Sequence, residues 1–415
     1  MTAFSSLALF LLVLVSSGAL ALDNGLAKRP PMGWLSWVAL GCEVNCANHP
    51  TKCVSQDQLT AMADLIVTDG YQAAGYEFLI IDDCWLAPER DRQGRLQADP
   101  VRFSKGIPWL SDYMHARNLK FGIYEDYGTK TCAGYPGSLG HAEVDGSTFA
   151  SWGVDYLKLD GCYANVTDLD KGYPAFTKAL NATARPIVYS CEWPLYVQDY
   201  AHTEPNYTAI RASCNLWRNW HDIDTNWKSI ISTIDYFDQR QDELAKVSGP
   251  GGWNDPDMLV AGNAGVSVDQ AKVQMAVWSI WSAPLLMSVD LRTIDDQFKQ
   301  ILLNKKVIAV DQDPLGIMGR LVTKVQDINV YAKPMTPVDV ATGDYSYAIA
   351  FVNRNEVSRK NLSITLEQLG LRHEKGYTLE NLFDDTPSLS LQPKDTLSTN
   401  VSPTGVTMFK ATVIV

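Results

Sequence analysis

Short apolar runs recur along the first three quarters of the chain, at 33–37, 76–85, 119–127, 154–162, 186–193, 215–220, 253–259 and 283–290. Each reads as a strand. Their starts lie 29 to 43 residues apart, close to the size of one strand-plus-helix unit. Runs such as FLII and IVYS carry apolar residues on both faces, as parallel strands covered by helices must. Between the strands, Leu59, Met62, Ala63 and Ile66 return at steps of three and four before Gly70. Val273, Met275, Val277 and Ile280 crowd a helix that is apolar on most sides. Eight such units over roughly 250 to 300 residues predict an α/β fold, a (β/α)8 TIM barrel, with an open doubly wound sheet as the alternative.

Past about residue 321 the pattern changes. INVYAK (328–333), YSYAIAFV (345–352), NLSITL (361–366) and FKATVIV (409–415) alternate or run as β-branched segments between Gly, Pro and Asp turns. In the last, Phe409, Ala411, Val413 and Val415 share one face. This predicts a C-terminal antiparallel β-sandwich. The expected division is a leader at 1–21, a barrel at 22–320 and the sandwich at 321–415.

The leader is read from an apolar run at 7–15 followed by small residues ending in Ala19-Leu20-Ala21, the pattern of a cleaved secretory signal. No later stretch is apolar enough to span a bilayer, so stable membrane insertion is not expected. Eight cysteines, all in the first half, suit four disulfides in an oxidising lumen. A zinc site at Cys42, Cys46 and Cys53 would need a histidine pair at ligand spacing, and none accompanies them. Five N-x-S/T sequons, at Asn165, Asn181, Asn206, Asn361 and Asn400, are candidate glycosylation sites. A net charge of −12 argues against a nucleic-acid partner.

Barrel chemistry sits at the C-terminal ends of the strands, and polar residues gather there. They are Asp82 and Asp83, Tyr124 to Asp126, Lys158 and Asp160, Glu192, Arg218 to Asp222, and Asp255 and Asp257. Trp37, Trp85, Trp193 and Trp253 are expected at the same level, making a carboxylate-lined, tryptophan-rich cup suited to a sugar. In KLDG, Lys158 and Asp160 are two apart and share a face, so the ammonium can hold the carboxylate ionised for nucleophilic attack. Retaining glycoside hydrolysis needs a second carboxyl about 5 to 5.5 Å away. Asp222 is the best placed, although spacing alone equally nominates Asp82, Asp83 or Asp257. Such a mechanism calls for no metal or organic cofactor.

Nine ordered blocks carry a resemblance: LDNGL (22–26), PPMGWLSW (30–37), IDDCW (81–85), LQADPVRF (96–103), KTCAGYPGS (130–138), KLDGCY (158–163), SCEWPLY (190–196), GPGGWNDPDML (249–259) and DQDPLG (311–316). Together they resemble the animal lysosomal α-galactosidase and α-N-acetylgalactosaminidase group, glycoside hydrolases with a barrel and a C-terminal sandwich. The resemblance implies that Asp160 is the nucleophile and Asp222 the acid/base. It implies galactose contacts from Trp37, Asp82, Asp83, Tyr124, Cys132, Lys158, Arg218 and Asp257, with Tyr196 and Met258 beside them. It also implies disulfides pairing Cys42 with Cys84, Cys46 with Cys53, Cys132 with Cys162 and Cys191 with Cys214.

In that group the loop after the fifth strand reads the substituent on sugar carbon 2. The galactosidase branch carries glutamate with leucine three residues on, the other branch serine with alanine. This chain has Glu192 and Leu195. The resemblance further implies a homodimer and a lysosomal destination, with export from the cell as the alternative. The chain departs from the group at Glu125, where relatives have alanine, at the Asn165 sequon close to Asp160, and at GTKT (128–131), which lacks a sequon some relatives carry. Rival readings are an α-N-acetylgalactosaminidase, an aldolase-type barrel using Lys158 as a Schiff base, and a galactose-binding lectin.

Overall fold

The computed structural model describes residues 22 and 24–415, so the leader at 1–21 lies outside the described residues. Eight parallel strands run β1 (Met32–Leu35), β2 (Phe78–Ile80), β3 (Lys120–Asp126), β4 (Tyr156–Asp160), β5 (Val188–Cys191), β6 (Leu216–Arg218), β7 (Trp253–Asp255) and β8 (Leu285–Met287). Strand β1 pairs with both β2 and β8, which curls the sheet round and excludes the open doubly wound alternative. Just past β7, the Leu259 amide donates to Leu286 O at 2.8 Å and the Ser288 amide to Leu259 O at 3.0 Å, joining the last two strands. Apart from Lys120 at the start of β3 and Asp160 at the end of β4, every residue of these eight strands is buried, as the continuous apolar runs require.

The helices pack as their spacing predicts. In the helix Gln56–Thr68 the buried side chains include Leu59, Met62, Ala63 and Ile66, and the Ser55 hydroxyl caps its start. The helix Val268–Trp281 begins with a capping box between Ser267 and Gln270 and buries ten of its fourteen residues. It is apolar on most sides because it is covered twice, by the barrel and by the second domain.

That domain has two sheets. The larger is β14 (Leu389–Leu391), β13 (Tyr377–Asn381), β16 (Val406–Val413), β11 (Tyr345–Asn353), β10 (Ile328–Val338) and β9 (Arg320–Val325), in that order, and the smaller pairs β12 (Lys360–Thr365) with β15 (Thr396–Val401). Leu362, Ile364, Leu397 and Val401 of the small sheet close a core over Val330, Ile349, Phe351 and Phe409 of the large one. Along β16 the faces alternate: Phe409, Ala411 and Val413 point into this core, while Met408 joins the barrel core. Val415 lies past the end of the strand and is exposed, so it does not extend that face. Four strands escape the sequence pattern, β9, β13, β14 and β15, because short, partly exposed strands carry little apolar signal.

All eight cysteines are paired, Cys42–Cys84, Cys46–Cys53, Cys132–Cys162 and Cys191–Cys214. The five sequon asparagines are all exposed. Among the described residues no helix is long and apolar enough to cross a membrane.

Candidate active site

Alternation along β3 and β4 decides which side chains reach the barrel mouth. Tyr124 pairs with Lys158 and Asp126 with Asp160, whereas Glu125 pairs with Leu159 and turns the other way. Asp160, at the last position of β4, is held on both oxygens. Tyr124 donates its hydroxyl to Oδ2 at 2.9 Å, and Tyr196 and the Gly161 amide donate to Oδ1 at 2.7 and 2.9 Å. Burial raises both phenols well above the ordinary tyrosine range, so they stay protonated and keep donating. The glycine of KLDG has a steric reason: a Cβ at Gly161 would meet the Tyr196 ring at 2.8 Å.

Beneath Asp160 lies a layer of buried charge. Lys158 Nζ donates to Asp82 Oδ2 at 2.9 Å and stands 3.7 Å from Glu192. Burial alone would lower the lysine, yet Asp82, Glu192 and Asp160 together raise it well above its usual range. Paired with Asp82 and Glu192 in the buried network, Lys158 serves as an ion-pair partner, and the geometry gives the Schiff-base reading no support. Arg218, at the end of β6, reaches Asp257 at 3.0 Å, Glu192 at 3.6 Å and Asp222 in a close contact. Burial pushes the Glu192 carboxyl up against the pull of these two cations. It also lifts Asp83, which accepts from the Cys84 and Ala133 amides, to about 6. Asp222 differs: its side chain is three-quarters exposed, and the Arg218 guanidinium holds its carboxyl below the usual range.

These groups line a cup of about 490 Å³, the size of a sugar pocket. On its wall are Trp37, Asp82, Asp83, Tyr124, Cys132, Lys158, Asp160, Glu192, Leu195, Tyr196, Arg218, Asp222 and Met258. Asp257 stands behind Arg218 and does not line the cup. Its left-handed backbone (φ 80°) aims the carboxylate at Arg218 and at the Ile223 and Met258 amides, so it anchors rather than faces a sugar. The expected ring of tryptophans reduces to Trp37. Trp85 is fully buried and donates to Tyr124 O, and Trp193 stacks on Tyr173 at 5.5 Å. Trp253 begins β7, at the opposite end of the barrel, and donates to Ala27 O.

Sequence reasoning missed Asp199, Tyr200 and Asp224, and included His221 only within the run from Arg218 to Asp222 without giving it a role; all four also line the cup. They lie on the loops after β5 and β6, and the adjacency of His221 to Asp222 was the available signal. Asp126, Cys132, Asp160 and Cys162 bring four potential metal-binding atoms together, but the two sulfurs are bonded to each other and offer no thiolate. Glu125 is buried outside the cup, with neither oxygen hydrogen-bonded, so it does not alter pocket charge at the rim. A larger open groove of about 630 Å³, beside Lys272 and Phe383, lies at the junction with the sandwich, away from these acids.

A (β/α)8 barrel whose mouth holds two carboxyls above a buried network of acids and cations defines a glycoside hydrolase. Residues 29–313 match the family described as alpha galactosidase A, and residues 325–411 match the alpha galactosidase C-terminal beta sandwich domain. The chain is 46% identical to human alpha-galactosidase A, over 98% of this chain and 94% of that one. It is 45% identical to chicken (Gallus gallus) alpha-N-acetylgalactosaminidase, over 94% of each. The crystal structure of alpha-galactosidase I from Mortierella vinacea superposes with a TM-score of 0.82 at 28% identity, covering 94% of this chain and 98% of that one. The chain therefore belongs to the alpha-galactosidase family of glycoside hydrolases, glycoside hydrolase family 27.

Proposed function

We propose that the chain is a retaining exo-α-galactosidase that removes terminal α-linked galactose from glycolipids, glycoproteins or oligosaccharides. Asp160 attacks the anomeric carbon while protonated Asp222 gives its proton to the departing oxygen. Asp222 then takes a proton from water as the water displaces Asp160, and the two inversions leave the α-configuration unchanged. Tyr124 and Tyr196 fix the attacking carboxylate, and Lys158 with Arg218 supplies positive charge beneath it.

Identity with relatives of both specificities is nearly equal, so it does not choose between galactose and N-acetylgalactosamine. The observation that carries the choice is the joint burial of Glu192 and Leu195 on the cup wall, where both occupy space that an acetamido group would need. The Glu192 carboxyl there also offers an oxygen that accepts from a 2-hydroxyl. The test is hydrolysis of paired chromogenic α-galactoside and α-N-acetylgalactosaminide from about pH 3.5 to 7.5, with Asp160→Asn as control. Preference for the galactoside, abolished in the control, supports the reading; preference for the acetamido sugar overturns it.

The same reading takes the chain through the secretory pathway to the lysosome, as a glycosylated homodimer of a barrel at 22–320 and a sandwich at 321–415. The four disulfides and five exposed sequons support the route. Sedimentation of the enzyme tests the dimer, and peptide mapping of its glycans tests the sequons.

A further inference from the structure

We propose that Asp199, Tyr200 and His221 form a leaving-group subsite that selects a second sugar ring as the aglycone; this rests on the reading of the cup as an α-galactosidase site. If Asp222 protonates the glycosidic oxygen, whatever departs through that oxygen leaves on the side of Asp222. His221 precedes Asp222 in the chain, and its Nδ1 lies 3.2 Å from Asp199 Oδ2, on the loop after β5. The two loops thus meet at the rim through this pair.

The segment Val197–Ala201 is a single π-type turn ending at His202 with φ 50°, an irregularity concentrated at functional sites and one that turns Asp199 and Tyr200 toward the cup. Tyr200 stacks on Tyr196, with ring centroids 5.5 Å apart and planes inclined by 14°, and remains 68% exposed. Tyr196 in turn donates to Asp160, so the stack runs from the attacking carboxylate out to the rim. The chemistry offered is a flat aromatic surface beside an imidazole and a carboxylate. That combination stacks on the C–H surface of a pyranose and hydrogen-bonds its hydroxyls. An alkyl or sphingoid chain finds no aliphatic side chain among these three. His221 is itself fixed from behind by the Trp220 ring, 4.2 Å away, and Trp220 is held by Ser232.

The experiment compares kcat/KM for an α-1,6-linked galactosyl-glucose disaccharide with that for 4-nitrophenyl α-galactoside. The proteins are the unsubstituted enzyme, Asp199→Ala, Tyr200→Ala and His221→Ala. The disaccharide-to-aryl ratio is expected to fall about fivefold or more in each, the effect of losing one polar or stacking contact. His221→Gln, which keeps an N–H donor, and Tyr200→Phe, which keeps the ring, restore most of the ratio. An unmoved ratio, or an equal loss on both substrates, overturns the subsite, since the residues would then act on nothing specific to a sugar aglycone. Turnover of neither substrate by the unsubstituted protein overturns the α-galactosidase reading and the subsite with it.

Discussion

Asp160 and Asp222 meet opposite environments. The first is saturated with donors; the second is open to solvent and leans on Arg218. Asp160→Asn leaves two phenols and an amide without their ionic acceptor and is expected to lower kcat by a thousandfold or more, on the order seen when a nucleophile is removed. Because Arg218 holds the Asp222 carboxyl down, the free enzyme loses the required proton early as pH rises. We expect kcat/KM, which reports the free enzyme, to decline already in the acid range, below the ordinary aspartate value. The decline in kcat, which reports the complex, is expected at higher pH, since bound sugar strips water from an acid that is now exposed. Coincident profiles would show that the sugar does not cover Asp222. At the carbon-2 position, Glu192→Ser with Leu195→Ala is expected to shift the galactoside-to-acetamide selectivity by about tenfold or more toward the acetamido sugar, by removing bulk and a buried carboxylate. Glu192, like the Lys158–Asp160 pair, was legible at a strand end, whereas Leu195, in the short helix Trp193–Tyr196, was legible only through the family resemblance. The pairing of Asp199 with His221 was not legible, because it joins two loops more than twenty residues apart.

Strand β3 illustrates how one element serves two purposes. Its inward residue Tyr124 donates to the Asp160 carboxylate, and its outward neighbour Glu125 is packed beneath the helix Ala142–Ser151, whose Asp145 faces it, with Asp126 and Arg90 also near. Asp145 takes up Arg90 for itself in a two-pronged pair, leaving both Glu125 oxygens without a partner. Burial first, and Asp145 second, raise the Glu125 carboxyl well above the 4.5 of a free glutamate. The folded state therefore keeps a proton that the unfolded chain releases. Its stabilising effect is full below the unfolded value and is lost as pH rises toward the folded one. Burial acts in the same direction on Asp126, lifted to about 9, and on Asp311, lifted to about 8. The melting temperature should thus peak in mild acid and fall toward neutrality. Glu125→Gln, which cannot ionise, should flatten that fall, with a difference of roughly 2 °C or more at pH 7 by calorimetry. Parallel curves for the two proteins would remove Glu125 from the account.

The two domains share an interface built on the helices Trp227–Val247 and Val268–Trp281. Arg354 of the sandwich forms a two-pronged pair with Asp235, and Asn329 and Tyr331 both donate to Asp238 at 3.1 Å. At the centre is Lys333 of β10, fully buried, donating to Ser279 O at 3.0 Å, to Ser282 Oγ at 2.7 Å and to Val310 O. Lys333→Met keeps the stem but strands three acceptors beside Asp311. It should lower stability by about 2 to 4 kcal/mol in urea unfolding; an unchanged midpoint would mean that the interface is held without it. The sequence by itself determined the eight strand-and-helix units, the polar crowding at their ends, the change to β-rich patterning after 321 and the blocks that mark the family, because periodicity and short motifs are local. Only the tertiary structure decided which polar residues share a space. It sent Glu192 inward to two cations and Glu125 outward to none, set Asp257 behind Arg218, and scattered three of four tryptophans away from the cup. Curling the sheet into a barrel gives each strand end neighbours that are distant in the chain, and a residue's charge, burial and partners are properties of those neighbours.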